Sequence, residues 1–227
     1  MFEETWARFR GLERTLGPSG DVVEAWRRGR DRYAVWALRV TDAVVIARMA
    51  AVADMLGAAI VPVRRRDAHV TAWVCGFPST APSLDDDVAE ATLAAQRASV
   101  AATKRVRLLV GAPNAFATCA FLEVQDPHGD LAALRAALAV PGAREVRFAA
   151  YQPHVTVGRF GDSRAVAPIA DALGLVRARG LFPHHPIDGA VELVELDART
   201  PDRMTTVWPK AAFQKAASRT TSPTTPT

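Results

Sequence analysis

The tripeptide His-Val-Thr occurs twice, at His69-Val70-Thr71 and His154-Val155-Thr156, and the two copies sit in matching surroundings. A segment centred on Trp36 precedes His69 by 33 residues, and one centred on Leu122 precedes His154 by 32. Downstream, Leu108 and Leu193 each follow their histidine by 39 residues. The order strand, helix, His-Val-Thr strand, helix, strand is thus given twice, and a duplicated unit is its simplest source. The expected architecture is two related lobes, about 33–115 and 116–208, facing each other across a cleft. Side chains alternate along a strand, so each His and Thr at i and i+2 project from one face, with Val70 or Val155 turned to the other.

Local patterns supply the elements. Tyr33 to Val40 has strand composition, and Thr41 is positioned to cap a helix from about Asp42 to Leu56. Ala68 to Phe77 reads as a strand, Pro78 to Ser83 as a loop, and Asp85 to Thr103 as a helix with three aspartates at its positive end. Val106–Val110 and Thr118–Val124 flank Gly111-Ala112-Pro113-Asn114, a turn signal that suggests an antiparallel pair. Asp130–Val140 and Arg164–Leu175 read as helices, and Val146–Phe160 and Ala190–Leu196 as containing strands. Residues 1–32 form a helical N-terminal extension in this reading. Residues 209–227, rich in Ser, Thr and Pro, form a disordered tail.

Charge adds less than it promises. The net charge is +4, but Lys210, Lys215 and Arg219 lie in a tail without acids, so 25 basic and 24 acidic residues leave residues 1–208 at +1. The pI of about 9.6 is therefore a poor argument for nucleic acid. Met1 to Glu13 has no apolar core of a secretory signal, so a cytoplasmic protein is expected. The most apolar stretch, Ala43 to Val61, holds Arg48, Asp54 and Gly57 and reads as a buried helix, not a membrane span. Cys75 and Cys119 lack Cys-x-x-Cys spacing and read as reduced core thiols.

Two histidines with no partner carboxylate motif suit an acid and base pair: one accepts a proton from an attacking oxygen, the other supplies one to a leaving oxygen. Threonine hydroxyls donate hydrogen bonds to non-bridging phosphate oxygens as charge shifts onto them. Phosphodiester cleavage needs that division of labour and no metal. Neither motif brings a second ligand at zinc spacing.

The motifs His69-Val70-Thr71-Ala72 and His154-Val155-Thr156-Val157 resemble those of the two-histidine (2H) phosphoesterase superfamily, within it the 2′-5′ RNA ligase and cyclic phosphodiesterase group. Pro153 to Arg159 is similar to the second motif in full, whereas Ala72 stands where a larger apolar residue is usual. The resemblance spans about Tyr33 to Trp208. It implies an α+β fold of two lobes with mostly antiparallel sheets flanking a central groove. It also implies His69 and His154 as the catalytic pair and Thr71 and Thr156 as substrate binders, with no cofactor and no metal. The implied substrates are nucleotide cyclic phosphates, ADP-ribose cyclic phosphate or RNA ends, opened to monoesters, with 2′-5′ linkages cleaved or formed. A monomer without membrane association is expected; the alternative is a nucleotide- or RNA-binding module that keeps the groove without turnover.

Other candidates read as structural. His128, His184 and His185 fall in turn or Pro-flanked segments. Trp73, Cys75 and Phe77 share the face of His69 if the strand is regular, and Trp73, Tyr151 and Trp36 read as packing residues before they read as base-stacking ones. Arg159 falls behind the catalytic face on strict alternation, so a phosphate role there needs a bulge or the end of the strand. Arg64-Arg65-Arg66 reads as a solvated surface, with an RNA-guiding role as the alternative.

Overall fold

A computed structural model describes residues 1–17, 20–103, 105–146, 150–199 and 203–209. The tail beyond residue 209, expected to be disordered, lies outside the described residues. The first part of the chain gives α1 (Phe2–Arg10), α2 (Gly20–Arg27), β1 (Arg32–Arg39), α3 (Ala43–Leu56), β2 (Ile60–Pro62), β3 (His69–Ser79), β4 (Asp87–Ala89) and α4 (Glu90–Val100). The rest gives β5 (Val106–Ala115), β6 (Cys119–Gln125), α5 (Asp130–Leu138), β7 (His154–Phe160), α6 (Val166–Ala178), β8 (His185–Gly189), β9 (Val191–Asp197) and β10 (Met204–Trp208).

The repeat is present as β1-α3-β3-α4-β5 and β6-α5-β7-α6-β9. The strands run β10-β9-β1-β3-β7-β6-β5-β8 in one sheet, with β2 added to β7 and β4 to β3. All pairs are antiparallel except β3 with β4. The fold is α+β, as expected, but the two sheets of the expectation are one. Four strands lie on each side of a narrow join, where β3 and β7 share a single register pair, Val70 with Val155.

The third strand of each repeat also crosses over: β5 joins the half that contains β6 and β7, while β9 returns to β1. The halves of the sheet therefore do not coincide with segments 33–115 and 116–208. The physical reason is local. Only Phe116 to Thr118 separate β5 from β6, and Phe116 N donates to Cys119 O at 2.9 Å, so a hairpin between sequence neighbours closes at little entropic cost. Gly111 to Asn114, expected as the turn, lies inside β5, where the register slips between Val110 and Pro113 as a bulge.

The main apolar core lies behind the strands. It joins Trp36, Leu38, Val70, Leu122 and Val155 to Val45 and Met49 of α3, Leu93 of α4, Leu134 of α5 and Leu173 of α6. The spacing Leu131, Leu134, Leu138 in α5 and Val166, Ile169, Leu173, Val176 in α6 puts one apolar stripe of each helix on it. Asp42, rather than Thr41, caps α3 by accepting from Val44 N at 2.9 Å and Val45 N at 3.1 Å. The aspartates expected to open a long helix do not: α4 starts at Glu90, and Asp86 and Asp87 grip Arg30 instead. Trp6 and Phe9 of α1 enter the main core, and Phe9 stacks on Phe160. No described helix is long and apolar enough to cross a membrane.

A buried polar link ties the core together. Trp36 Nε1 donates to Gln96 Oε1 at 2.9 Å, and Gln96 Nε2 donates to Leu138 O at 2.8 Å, with Gln96 only 1% exposed. Replacing Gln96 with Ala strands the Trp36 N–H in an apolar core and adds a cavity, so a loss of about 2–4 kcal/mol is expected in urea unfolding. A loss below about 0.5 kcal/mol would show that the indole finds another acceptor.

Candidate active site

The two motifs have the same local structure. From its histidine on, each strand follows one burial sequence: His half-buried, Val buried, Thr half-buried, two buried residues, then a half-buried one. The buried doublet is a bulge. Trp36 pairs with Trp73 and Ala37 with Thr71, leaving Ala72 extra; Ala120 pairs with Gly158 and Phe121 with Thr156, leaving Val157 extra. The fourth residue of each motif is therefore the inserted one, and it reverses the alternation of the residues that follow, in β3 as far as a second register shift between Val74 and Gly76.

That reversal decides three sequence questions. Trp73 and Cys75 do not share the face of His69; both join the core, where burial pushes the Cys75 thiol well above its usual range. Arg159, placed behind the site by strict alternation, is turned to the site face opposite Cys119. Small residues fit the second bulge: a Cβ on Gly158 would lie 2.7 Å from Ile60 Cδ1 and 2.8 Å from Val61 O of β2.

His69, Thr71, His154 and Thr156 come together on one face, because Val70 and Val155 pair at the join and both turn to the core. An antiparallel pair carries a local twofold axis, and here it passes through Val70 and Val155. The axis relates His69 to His154 and Thr71 to Thr156, and sets each histidine across from the other motif's threonine, with the two histidines on a diagonal. The two motifs lie side by side on adjacent strands, at the join between the two four-stranded halves of the sheet.

Both imidazoles are oriented in the same way. His69 Nδ1 lies 2.8 Å from Asp67 O, and His154 Nδ1 lies 2.8 Å from Gln152 O. A carbonyl only accepts, so Nδ1 carries the proton in each ring and Nε2 is the nitrogen that exchanges one. Phe116, at the β5–β6 turn, meets the His154 ring edge-on with centroids 5.2 Å apart, and Phe121 lies 5.1 Å away on another side.

The first bulge is held from the other half of the molecule. Tyr151 Oη donates to Thr71 O at 2.9 Å, and Arg135 Nη1 donates to Ala72 O at 2.5 Å. Glu145 fixes the Arg135 guanidinium at 2.7 and 3.0 Å, and the guanidinium lies 3.7 Å above the Tyr151 ring centre. Tyr151 thus orients the motif rather than offering a free stacking face.

The second motif is held by α1 and α6. Thr5 Oγ1 donates to Gln152 Oε1 at 2.8 Å. Asn114 Nδ2 donates to Glu123 Oε1 at 2.8 Å and to Phe2 O at 3.1 Å. Arg177 pairs with both Glu123 and Glu3. None of these residues was singled out in the sequence, because strand pairing, not spacing, sets Glu123 beside His154.

The remaining candidates fall elsewhere. His128 is exposed in the turn after β6. His185 opens β8, at the end of the sheet path, with its Nε2 3.0 Å from Asp42 Oδ1, rather than lying in a loop. Arg64 and Arg66 lean on Asp67, at 2.5 and 3.9 Å. Among the described residues no group of three or more His, Cys, Asp or Glu is placed to hold a metal ion.

The family model of the 2′-5′ RNA ligase superfamily matches residues 43–198, and the chain belongs to that superfamily. Its members are usually enzymes, phosphoesterases or ligases. The match begins in α3, so α1, α2 and β1 precede it. Among solved structures, the crystal structure of TT0787 of Thermus thermophilus aligns with a TM-score of 0.48 at 13% identity, covering 77% of this chain and 94% of that one. A search of curated proteins returns no match.

Proposed function

We propose that the protein is a metal-independent phosphodiesterase of the two-histidine kind, which opens 2′,3′-cyclic phosphates or cleaves and forms 2′-5′ linkages in RNA or nucleotides. The observation that carries this reading is the twofold arrangement of His69, Thr71, His154 and Thr156 on one face, with both Nδ1 atoms tied to backbone carbonyls. A phosphorus seated over the Val70–Val155 axis has a histidine on either side, one for the attacking oxygen and one for the leaving oxygen. Thr71 and Thr156 donate to the non-bridging oxygens as their charge grows. By microscopic reversibility the same site serves the reverse reaction with the two roles swapped.

The test is turnover of 2′,3′-cyclic nucleotides, ADP-ribose cyclic phosphate and 2′-5′-linked dinucleotides in the presence of EDTA. The expected result is a phosphomonoester product from at least one of them, insensitive to the chelator and lost in a His69→Ala/His154→Ala double variant. Loss of activity in EDTA with recovery on added metal would overturn the metal-independent reading. Saturable binding without turnover would establish the binding module instead.

A further inference from the structure

The residue two before each motif histidine does more than lend its carbonyl. Asp67 and Gln152 occupy equivalent places in the repeat, and the carbonyl of each accepts from Nδ1 of its imidazole at 2.8 Å. Each also has a buried polar side chain, the residues being 3% and 8% exposed. What holds them differs. Asp67 is held by its own turn: Asp67 N donates to Arg64 O at 2.8 Å, Ala68 N to Arg65 O at 3.3 Å, and the carboxylate accepts from Arg64 Nε at 2.5 Å. Pro153, the equivalent of Ala68, has no N–H to close such a turn. The Gln152 amide instead accepts from Thr5 Oγ1 at 2.8 Å, across 147 residues of chain, and its Nε2 is buried without a partner among the described residues.

Thr5 belongs to a segment that follows β7 from end to end. Before the start of the strand Thr5 meets Gln152, and at its end Phe9 stacks on Phe160 with ring centroids 6.2 Å apart. Just beyond, Thr15 N donates to Arg164 O at 2.8 Å and Thr15 Oγ1 to Asp162 O at 3.1 Å. Trp6 and Phe9 lie in the main core, so α1 is seated independently of the Thr5 hydroxyl. Phe2 O and Glu3 of the same helix hold Asn114 and Arg177, and these hold Glu123, the residue paired with His154.

We propose that α1 is a splint for the second motif and that Thr5 is a positioning residue: through the Gln152 amide it fixes the carbonyl that keeps the proton of His154 on Nδ1. The kinetic side of this rests on the phosphodiesterase reading above; the structural side does not. A neutral imidazole has two tautomers, and the hydrogen bond made by one nitrogen decides which is present. When the Gln152 carbonyl drifts out of line, Nδ1–H is released and the proton spreads to Nε2, the nitrogen that must exchange it with substrate. The family model starts at residue 43, after α1. Control of His154 is therefore carried by a segment outside the matched region, while His69 keeps its own turn and serves as the internal control.

The experiment uses the full chain. Thr5→Val keeps the shape and removes the hydroxyl, Thr5→Ser keeps the hydroxyl, and Gln152→Met breaks the same bond from the other side and carries the test if Thr5→Val does not fold. Nitrogen NMR of isotope-labelled histidine, above the imidazole titration, is expected to show the Nδ1–H tautomer at both His69 and His154 in the wild type. Thr5→Val and Gln152→Met are expected to move the His154 nitrogens toward the averaged shifts of a tautomer mixture and to leave His69 unchanged; Thr5→Ser is expected to move neither. On the preferred cyclic substrate, Thr5→Val is expected to lower kcat at least about fivefold with KM within about twofold, the scale of a slightly misplaced catalytic group. That loss should persist in a His69→Ala background and vanish in a His154→Ala one, because Thr5 acts through His154. A helix that only stabilised the fold would perturb both imidazoles or neither and cost the same in both backgrounds. Either outcome overturns the proposal, as does a Thr5→Ser variant that behaves like Thr5→Val. If the wild type turns over none of the substrates in EDTA while the tautomers respond as expected, the phosphodiesterase reading falls and the splint stands.

Discussion

His69→Ala and His154→Ala are each expected to lower kcat/KM on the preferred cyclic substrate by about 10²- to 10⁴-fold, the range of a well-placed acid or base. The double variant is expected to fall little further than the worse single one, since groups acting on one transition state are not additive. Both imidazoles are half-buried, and Nδ1 of each is hydrogen-bonded to a backbone carbonyl, Asp67 O or Gln152 O. Losing that bond costs folding about 1 kcal/mol, too little to explain a hundredfold loss of rate. Steady-state kinetics alongside urea unfolding separates the two effects. If stability and rate fall together in proportion, the histidines are structural. A tenfold or smaller loss in either variant would mean that solvent replaces that histidine.

The largest effect on stability is expected at Gly76, seven residues after His69 in the same strand. Its φ is +105°, and a Cβ there would lie 2.2 Å from Asp86 O and 3.1 Å from Asp86 C. Asp86 O is not free to retreat, since it accepts from Phe77 N at 2.8 Å while its side chain holds Arg30 at 2.6 Å. Gly76→Ala combines backbone strain of about 1–3 kcal/mol with overpacking of about 1–3 kcal/mol, so a loss of about 3 kcal/mol or more is expected. Gly29 supplies the control: its φ is +78°, but nothing lies within 4 Å of its absent Cβ. Gly29→Ala should cost only the strain part, about 1–2 kcal/mol. Equal losses in the two variants, read from urea unfolding, would show that the close approach of Asp86 to β3 contributes nothing.

Much of the fold was legible where one short-range rule acted alone. The apolar stripes of α5 and α6, the strand character of Tyr33–Val40 and the two His-Val-Thr strands all follow from periodicity. The errors share a cause: residues with several uses. Gly111 to Asn114 carries turn residues, yet serves as a bulge because the hairpin closes later, at Phe116 to Thr118. Asp85 to Asp87 has the composition of a helix start, yet two of the three are consumed by Arg30, distant in sequence. The His-x-Thr rule itself was sound for three residues and failed at the fourth, where each motif inserts Ala72 or Val157 and turns Trp73 inward and Arg159 outward.

By itself the sequence determined the duplication, the pairing of His and Thr on one face of each strand, and through them the superfamily. Those are properties of spacing, and alternation along a strand needs no partner to be stated. Only the tertiary structure decided that the two strands meet at one residue pair, Val70 with Val155, so that four side chains share a twofold axis. It alone set Arg39 beside one histidine and Glu123 beside the other. Register and long-range charge depend on which strands become neighbours, and that is fixed by burying every element's apolar face at once, a condition no single stretch of sequence contains.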